Sequence, residues 1–250
     1  MPGVTISLMD LKQTFYPESR FGGFSDVDGT IAFYTRVNSL LNPASVVVDF
    51  GCGRGAWIED PVRIRRELRI FKGKVQRVIG LDVDPSAAGN PTLDEFYRLD
   101  GECWPLANNS VDLLVSDHVL EHLEDPGLFF GEARRVIKNN RYLCFRTPNR
   151  WGYPALFSRM VPNHEHTHVL EIVKDRVKEQ DVFPTYYKAN TLPFLRSLMQ
   201  KNGFKAIVYG YAPEPSYLSF SKAAYWLGVV HQRFAPGFLK PVIFGFGQKI

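Results

Sequence analysis

The sequence predicts an α/β fold, a doubly wound and mostly parallel sheet of seven strands with helices on both faces. Three observations lead there. Short β-branched runs alternate with amphipathic helical stretches, the pattern of strand–helix–strand units laid side by side. The first run, "SVVVDF", is bounded by turn residues and lacks polar alternation, as expected of a strand covered on both faces. Directly behind it, Gly51, Gly53 and Gly55 punctuate a turn, and glycines serve where a backbone must turn tightly against a ligand.

The elements follow in order. "DGTIAFYTRVNSLLNP" suits a helix, because Ile31, Tyr34, Val37, Leu40 and Leu41 recur at three- and four-residue steps before Asn42-Pro43 stops it. Beyond Gly55 a charged helical stretch runs to about Phe71, broken or restarted at Pro61. "VQRVIGLDVDP", "EFYRLDG" and "VDLLVSDHV" are the second, third and fourth strands. Asp125 caps the next helix with Pro126 in its first turn, and Phe129, Ala133, Val136 and Ile137 form its buried stripe. "RYLCFRT" is the fifth strand, stopped by Pro148. A helix between Asn190 and Asn202 places Leu192, Leu195 and Met199 on one face, with Gly203 as terminator. "FKAIVYGY" and "PVIFGFGQK" complete the sheet. Two stretches, Pro148 to Ala189 and roughly Ala212 to Lys240, exceed ordinary connections and are rich in aromatics. They read as functional insertions rather than linkers.

The 250 residues fit one α/β domain with insertions, and 45% hydrophobic with 22% charged residues is ordinary for a globule with a large core. A net charge of +4 and a pI near 8.9 fall well short of a nucleic-acid footprint. Cys52, Cys103 and Cys144 form no CxxC pair, which suits a reducing cytoplasm. The N-terminus lacks the basic and apolar regions of a signal peptide, and no apolar run approaches the ~18 residues of a spanning helix.

The glycine turn admits two readings. As G-x-G-x-x-A, Gly51, Gly53 and Ala56 satisfy a dinucleotide fingerprint. Three acids point elsewhere. Asp49 at the strand tip would repel a pyrophosphate but suits an ammonium or a cationic sulfur. Asp82 ends the next strand, where a carboxylate can accept both hydroxyls of a ribose. Asp100 ends the third, where it can accept a hydrogen bond from an exocyclic amine. An amine, a ribose diol and an aminated base without phosphates are the parts of S-adenosylmethionine.

The chain thereby resembles the class I S-adenosylmethionine-dependent methyltransferases, of the small-molecule group with the LEH motif. The motifs that carry the resemblance are "VVVDFGCGRGAW", "VIGLDVDP", "LDGECWPLANNSVDLLVSDHVLEHLEDP" and "EARRVIKNNRYLCFRTPN", between Val46 and Asn149. It implies a Rossmann-like core at 45–149, an N-terminal helical cap at 1–44 and insertions at 150–189 and 212–240 that shape the acceptor site. It implies that Asp49, Gly51, Cys52 and Gly53 meet the methionine end. Asp82 then takes the ribose with Val83 beside the adenine, Asp100 and Gly101 meet the adenine edge, and Ser116 closes the pocket near the methyl. One departure is "KNNR" at 138–141, where the family has Lys-Pro-Gly-Gly, although Asn139 and Asn140 tolerate left-handed geometry. The stretches "TFYPESRFGGFSDVDGT" and "EQDVFPTYYKANT" also resemble a bacterial subgroup associated with surface-glycan biosynthesis.

Methyl transfer is an in-line displacement, so the protein's main task is positioning, with a base helping at a hydroxyl acceptor. His118 and His122 lie four apart and share a face if a helix starts there. They are the candidates for the acceptor side, although His122 can equally bond backbone or Glu121. His164, His166 and His168 alternate in "NHEHTH" and read as acceptor-site lining or a solvated loop, with no metal expected. "YLSFSKAAYWLGVVHQRFAPGFLKP" is aromatic and basic, fitting a lid, a dimer face, a peripheral membrane contact or core packing. "RIRREL" reads as a solvated helix face. The leading expectation is O-methylation of a small molecule or glycan. A nucleic-acid methyltransferase is disfavoured because "SDHV" replaces the Asn/Asp-Pro-Pro-aromatic turn of base modifiers. A nicotinamide oxidoreductase is disfavoured by Asp49, and a non-catalytic scaffold that binds the cofactor without turnover would carry the same acids.

Overall fold

A computed structural model describes residues 8–160 and 184–250. The strands are β1 (Val46–Phe50), β2 (Arg77–Asp82), β3 (Glu95–Arg98), β4 (Val111–Asp117), β5 (Ile137–Pro148), β6 (Phe204–Tyr211) and β7 (Val242–Lys249). They form one seven-stranded sheet in the order β3-β2-β1-β4-β5-β7-β6. All neighbours are parallel except β7, which runs against both β5 and β6. The described helices are α1 (Leu8–Phe15), α2 (Gly29–Ser39), α3 (Arg63–Arg69), α4 (Pro126–Val136), α5 (Tyr153–Met160), α6 (Leu192–Lys201) and α7 (Lys222–Phe234).

Helices cover both faces, as the unbroken apolar strands require. On one side Phe129, Phe130, Ala133 and Val136 of α4, with Leu195 and Met199 of α6, pack on Val46, Val48, Leu114 and Phe145. On the other, Phe33, Tyr34 and Val37 of α2 pack on Val47, Leu113, Val115, Cys144 and Phe244. Each such fully buried side chain contributes roughly 1.5–3 kcal/mol relative to exposure. Leu11 and Tyr16 form a separate cluster with Tyr225 and Val229 of α7.

Helix starts obey local chemistry. Asp28 accepts the amides of Thr30 and Ile31 at 2.9 and 3.0 Å, and Asp125 accepts those of Gly127 and Leu128 at 2.7 and 3.3 Å, caps that typically stabilise by about 1 kcal/mol. One element follows the break expected at Pro61, and one differs from the sequence expectation. The charged stretch behind Gly55 is a short 3-10 turn, Ala56–Glu59, and then α3, separated by Pro61. Strand β5 starts at Ile137, directly after α4, because Asn140 turns left-handed (φ 61°) and the pairing with β4 shifts between Val111 and Leu113.

Candidate functional site

Side chains alternate across a strand, so the register fixes which groups share a face. Asp49 lies on the α2 side with Val47, paired to Gly80 of β2 and Val115 of β4. Two residues beyond each partner stand Asp82 and Asp117, on the same face, and Asp117 pairs with Arg146 of β5. Three carboxylates thus crowd the carboxyl edge of one sheet face.

Their fates differ. The Asp49 carboxyl is pushed up to about 7, first by burial, then by Asp117 and Asp82, with Arg69 opposing. Burial would raise Asp117 as well, but the guanidiniums of Arg146 and Arg69 outweigh it and hold that carboxyl well below its usual range. Arg146 bonds Asp117 through Nε and, at 2.8 Å, through Nη2, while the Tyr34 hydroxyl donates to Oδ2 at 2.9 Å. Arg69 reaches the same oxygen at 3.5 Å, with its guanidinium carbon 5.4 Å from the Tyr34 ring centre and 5.9 Å from that of Trp57. Its Nε is buried and lacks a partner. Asp117 is therefore committed to a structural ion pair, while Arg69 only partly offsets the penalty on a charged Asp49.

The glycine turn is held from below. Gly51 donates to the Leu81 carbonyl at 2.7 Å, Gly53 donates to Asp82 Oδ2 at 2.8 Å, and Asn90 Nδ2 donates to the carbonyls of Cys52 and Gly53, both at 3.1 Å. Gly51 sits at φ 73°, and a Cβ there would come within 2.2 Å of Val119. The Cys52 thiol, buried and beside Asp49 and Asp82, is driven up and stays protonated. Behind Gly55 the chain enters only the short 3-10 turn. A dinucleotide pyrophosphate draws on a long helix N-terminus at this point, and none stands here.

Val83 is exposed beside Asp82, and Asp100 and Gly101 lie in the exposed loop after β3. Ser116 departs from this cluster. It is fully buried on the other sheet face, paired with Phe50, and its hydroxyl has no partner.

Residues 30–209 match the family model described as "Methyltransferase domain". The chain belongs to the methyltransferase domain family. A probable S-adenosylmethionine-dependent methyltransferase of Mycolicibacterium smegmatis is 31% identical over 109 residues, which span 42% of this chain and 38% of that relative. A malonyl-[acyl-carrier protein] O-methyltransferase of Hahella chejuensis is 30% identical over 105 residues, spanning 39% of this chain and 35% of its own. In fold, the chain resembles a SAM-dependent methyltransferase of Thermotoga maritima with a TM-score of 0.53 at 16% identity, covering 98% of this chain and 100% of that one.

In this methyltransferase domain the histidines sit on a kink, not on a helix. His118 adopts φ 57° immediately after β4, and Leu120–His122 form a 3-10 turn. A left-handed non-glycine residue is uncommon, and at a strand end it re-aims the side chain. The two rings nevertheless converge on the buried Glu121, whose Oε1 lies 3.6 Å from His118 Nδ1 and 3.9 Å from His122 Nε2. Glu121 Oε2 accepts from Thr147 Oγ1 at 2.9 Å, and Asn190 Nδ2 donates to that hydroxyl at 2.6 Å. His122 Nδ1 contacts the Pro184 carbonyl at 2.8 Å, whereas the His118 ring is about half exposed.

Arg69, Asp117, Arg146, Asn90 and the Thr147–Asn190 pair behind Glu121 line or brace this edge and were not singled out from the sequence. Two signals were available: Asp117 and Arg146 are charges interrupting apolar strands, and Glu121 is a charge between leucine and histidine at a strand end. The "RIRREL" face is only partly solvated, since Arg65 lies 3.3 Å from Asp60 and 3.7 Å from Asp28. His164, His166 and His168 lie outside the described residues, among which no group of three or more His, Cys, Asp or Glu side chains is placed to hold a metal.

Proposed function

We propose that this chain transfers a methyl group from S-adenosylmethionine to the oxygen of a small-molecule or glycan acceptor. The observation that carries the reading is the Asp49 carboxyl, buried, crowded by Asp117 and Asp82 and so pushed up to about 7. Beside it the unpartnered Nε of Arg69 suits a carboxylate. An acid and a guanidinium side by side match the zwitterionic amino-acid end of the cofactor, with Gly51, Cys52 and Gly53 forming the floor. Asp82 would hold the ribose diol, since each of its oxygens already takes one backbone amide and keeps a second lone pair. Val83 would flank the adenine, Asp100 and Gly101 would meet its edge, and Ser116 would back the strand from the other sheet face. When bound, the cofactor supplies an electrophilic methyl on sulfur.

His118 would accept the acceptor's proton, with Glu121, 3.6 Å from its Nδ1, orienting it. A buried carboxylate stabilises the imidazolium that forms, and positioned bases of this kind contribute ~10²–10⁴-fold. The relatives that include an O-methyltransferase support oxygen as the acceptor atom. The glycan class rests on the resemblance at "TFYPESRFGGFSDVDGT" and "EQDVFPTYYKANT".

Isothermal titration with S-adenosylmethionine and with NAD tests the reading. One-to-one binding of the former and none of the latter is expected; the reverse pattern, or no binding of either, overturns it. An acceptor panel of hydroxylated sugars and acyl thioesters with radiolabelled methyl donor then names the acceptor class.

A further inference from the structure

The segment that leaves β6 and returns as β7 carries an unusual surface. From Pro215 to Pro241 there is no aspartate or glutamate, while Lys222, Arg233 and Lys240 are present. Helix α7 is clamped by its inner side: Tyr225 and Val229 pack with Leu11 and Tyr16, and a Cβ on Gly228 would come within 2.4 Å of Pro215. Its outer side is not polar. Ala223, Trp226, Leu227, Val230 and Phe234 fall at the i, i+3, i+4, i+7 and i+11 positions of one helix face, covering about 100° of arc. Trp226, Leu227 and Phe234 are exposed, the last at 78%. Phe220 precedes this stripe and Phe238 follows it, both exposed. Lys222 and Arg233, also exposed, fall at one margin of the stripe. Glu18 and Asp26 lie in the depression on the Arg233 side that Phe15 and Tyr16 also line, and Glu214, which acts on Tyr225 from the inner side, is engaged by Lys12 and Ser25.

Exposed Trp, Phe and Leu in a row, with cations along the margin, is the arrangement of a helix lying in the plane of a lipid interface. A second copy of the chain would present the same cations to these cations, whereas anionic headgroups complement them. We infer that α7 docks this protein onto the surface of an anionic bilayer. Tyr211 pairs with Val242, as does Pro148, so the segment stands on the same carboxyl edge of the sheet as Asp49, Asp82 and Asp117. Docking therefore brings that edge beside the headgroup layer, where a lipid-borne acceptor would be met. The inference goes beyond the proposed activity and is tested without it.

The experiment is co-sedimentation of the whole protein with vesicles of phosphatidylcholine alone and of phosphatidylcholine mixed with phosphatidylglycerol, at low and high salt. Binding to the mixed vesicles, weakened at high salt, is expected. The triple variant Trp226→Ser, Leu227→Ser, Phe234→Ser should lose at least tenfold in vesicle affinity while keeping its melting temperature and S-adenosylmethionine titration. Lys222→Glu should weaken only the salt-sensitive part. No sedimentation with either vesicle, or equal sedimentation of wild type and triple variant, overturns the inference. So does a concentration-dependent dimer in analytical ultracentrifugation that the triple variant abolishes, for the stripe would then be covered by a second copy.

Discussion

Asp49 holds its proton near neutrality because burial and two neighbouring carboxylates penalise its charge more than Arg69 relieves it. A cation delivered beside it would reverse that balance and expel the proton. Under the proposed function, affinity for S-adenosylmethionine should fall as pH drops below about 7, by up to tenfold per unit, and level off above. Titrations in buffers of different ionisation enthalpy should register close to one proton released per cofactor well below pH 7 and none well above it, and Asp49→Asn should flatten the profile. Asp82→Ala removes a carboxylate whose charged hydrogen bonds are worth about 1.5–3 kcal/mol each. It should weaken cofactor binding by 10- to 100-fold or more, read by calorimetry, with unchanged far-UV circular dichroism. Asp49 and Asp82 were legible because each ends an apolar run. Arg69 was not, since only folding reveals which residue of a cationic helix turns toward the strands. Tyr34 looked like one more core position, and its hydroxyl bond to Asp117 spans 83 positions of chain.

Elements were legible wherever a pattern had one solution. Each of the seven strands overlaps one of the quoted apolar runs, and Asp28, Asp125, Gly203 and Pro148 mark boundaries through caps, left-handed geometry and a missing amide. The start of β5 and the shape of the chain behind Gly55 were not, because both depend on partners rather than on local preference. Asn140 prolongs β5 by a left-handed step that matters only beside β4. Likewise His118 and His122 converge through a kink and not through helical spacing. The glycine turn itself is tightly determined. Gly51→Ala combines a positive φ with a Cβ 2.2 Å from Val119, and left-handed strain alone costs roughly 1–2 kcal/mol. That variant should melt at least several degrees lower and bind cofactor poorly, whereas Gly53→Ala, which meets nothing within 4 Å, should lose less stability.

For the molecule as a whole, the crowded carboxylates set function against stability. The folded Asp49 titrates at about 7, the unfolded one near ~3.9. Between those values the folded state keeps a proton that the unfolded state has released, so this group's contribution to stability declines as pH rises through the window. Asp117, displaced downward, acts below that window and leaves it undisturbed. The cofactor-free protein should therefore gain stability from Asp49→Asn at pH 8 and almost none at pH 4, measured by thermal unfolding at both. Helices on both faces and the parallel strands were foreseeable from composition and pattern. The one reversed strand was not, because a run such as "PVIFGFGQK" carries no mark of its direction.

That reversal has an evolutionary corollary. Because β7 turns back, the α7 segment begins and ends beside a single residue pair, Tyr211 with Val242. A loop tethered so closely at its base tolerates changes in length cheaply, each doubling adding only about 0.6 kcal/mol of closure entropy. Crowns of different size and chemistry can accordingly be traded among relatives over an unaltered scaffold. Under the proposed docking, the surface such a protein meets can then diverge within this span without disturbing the strands beneath it.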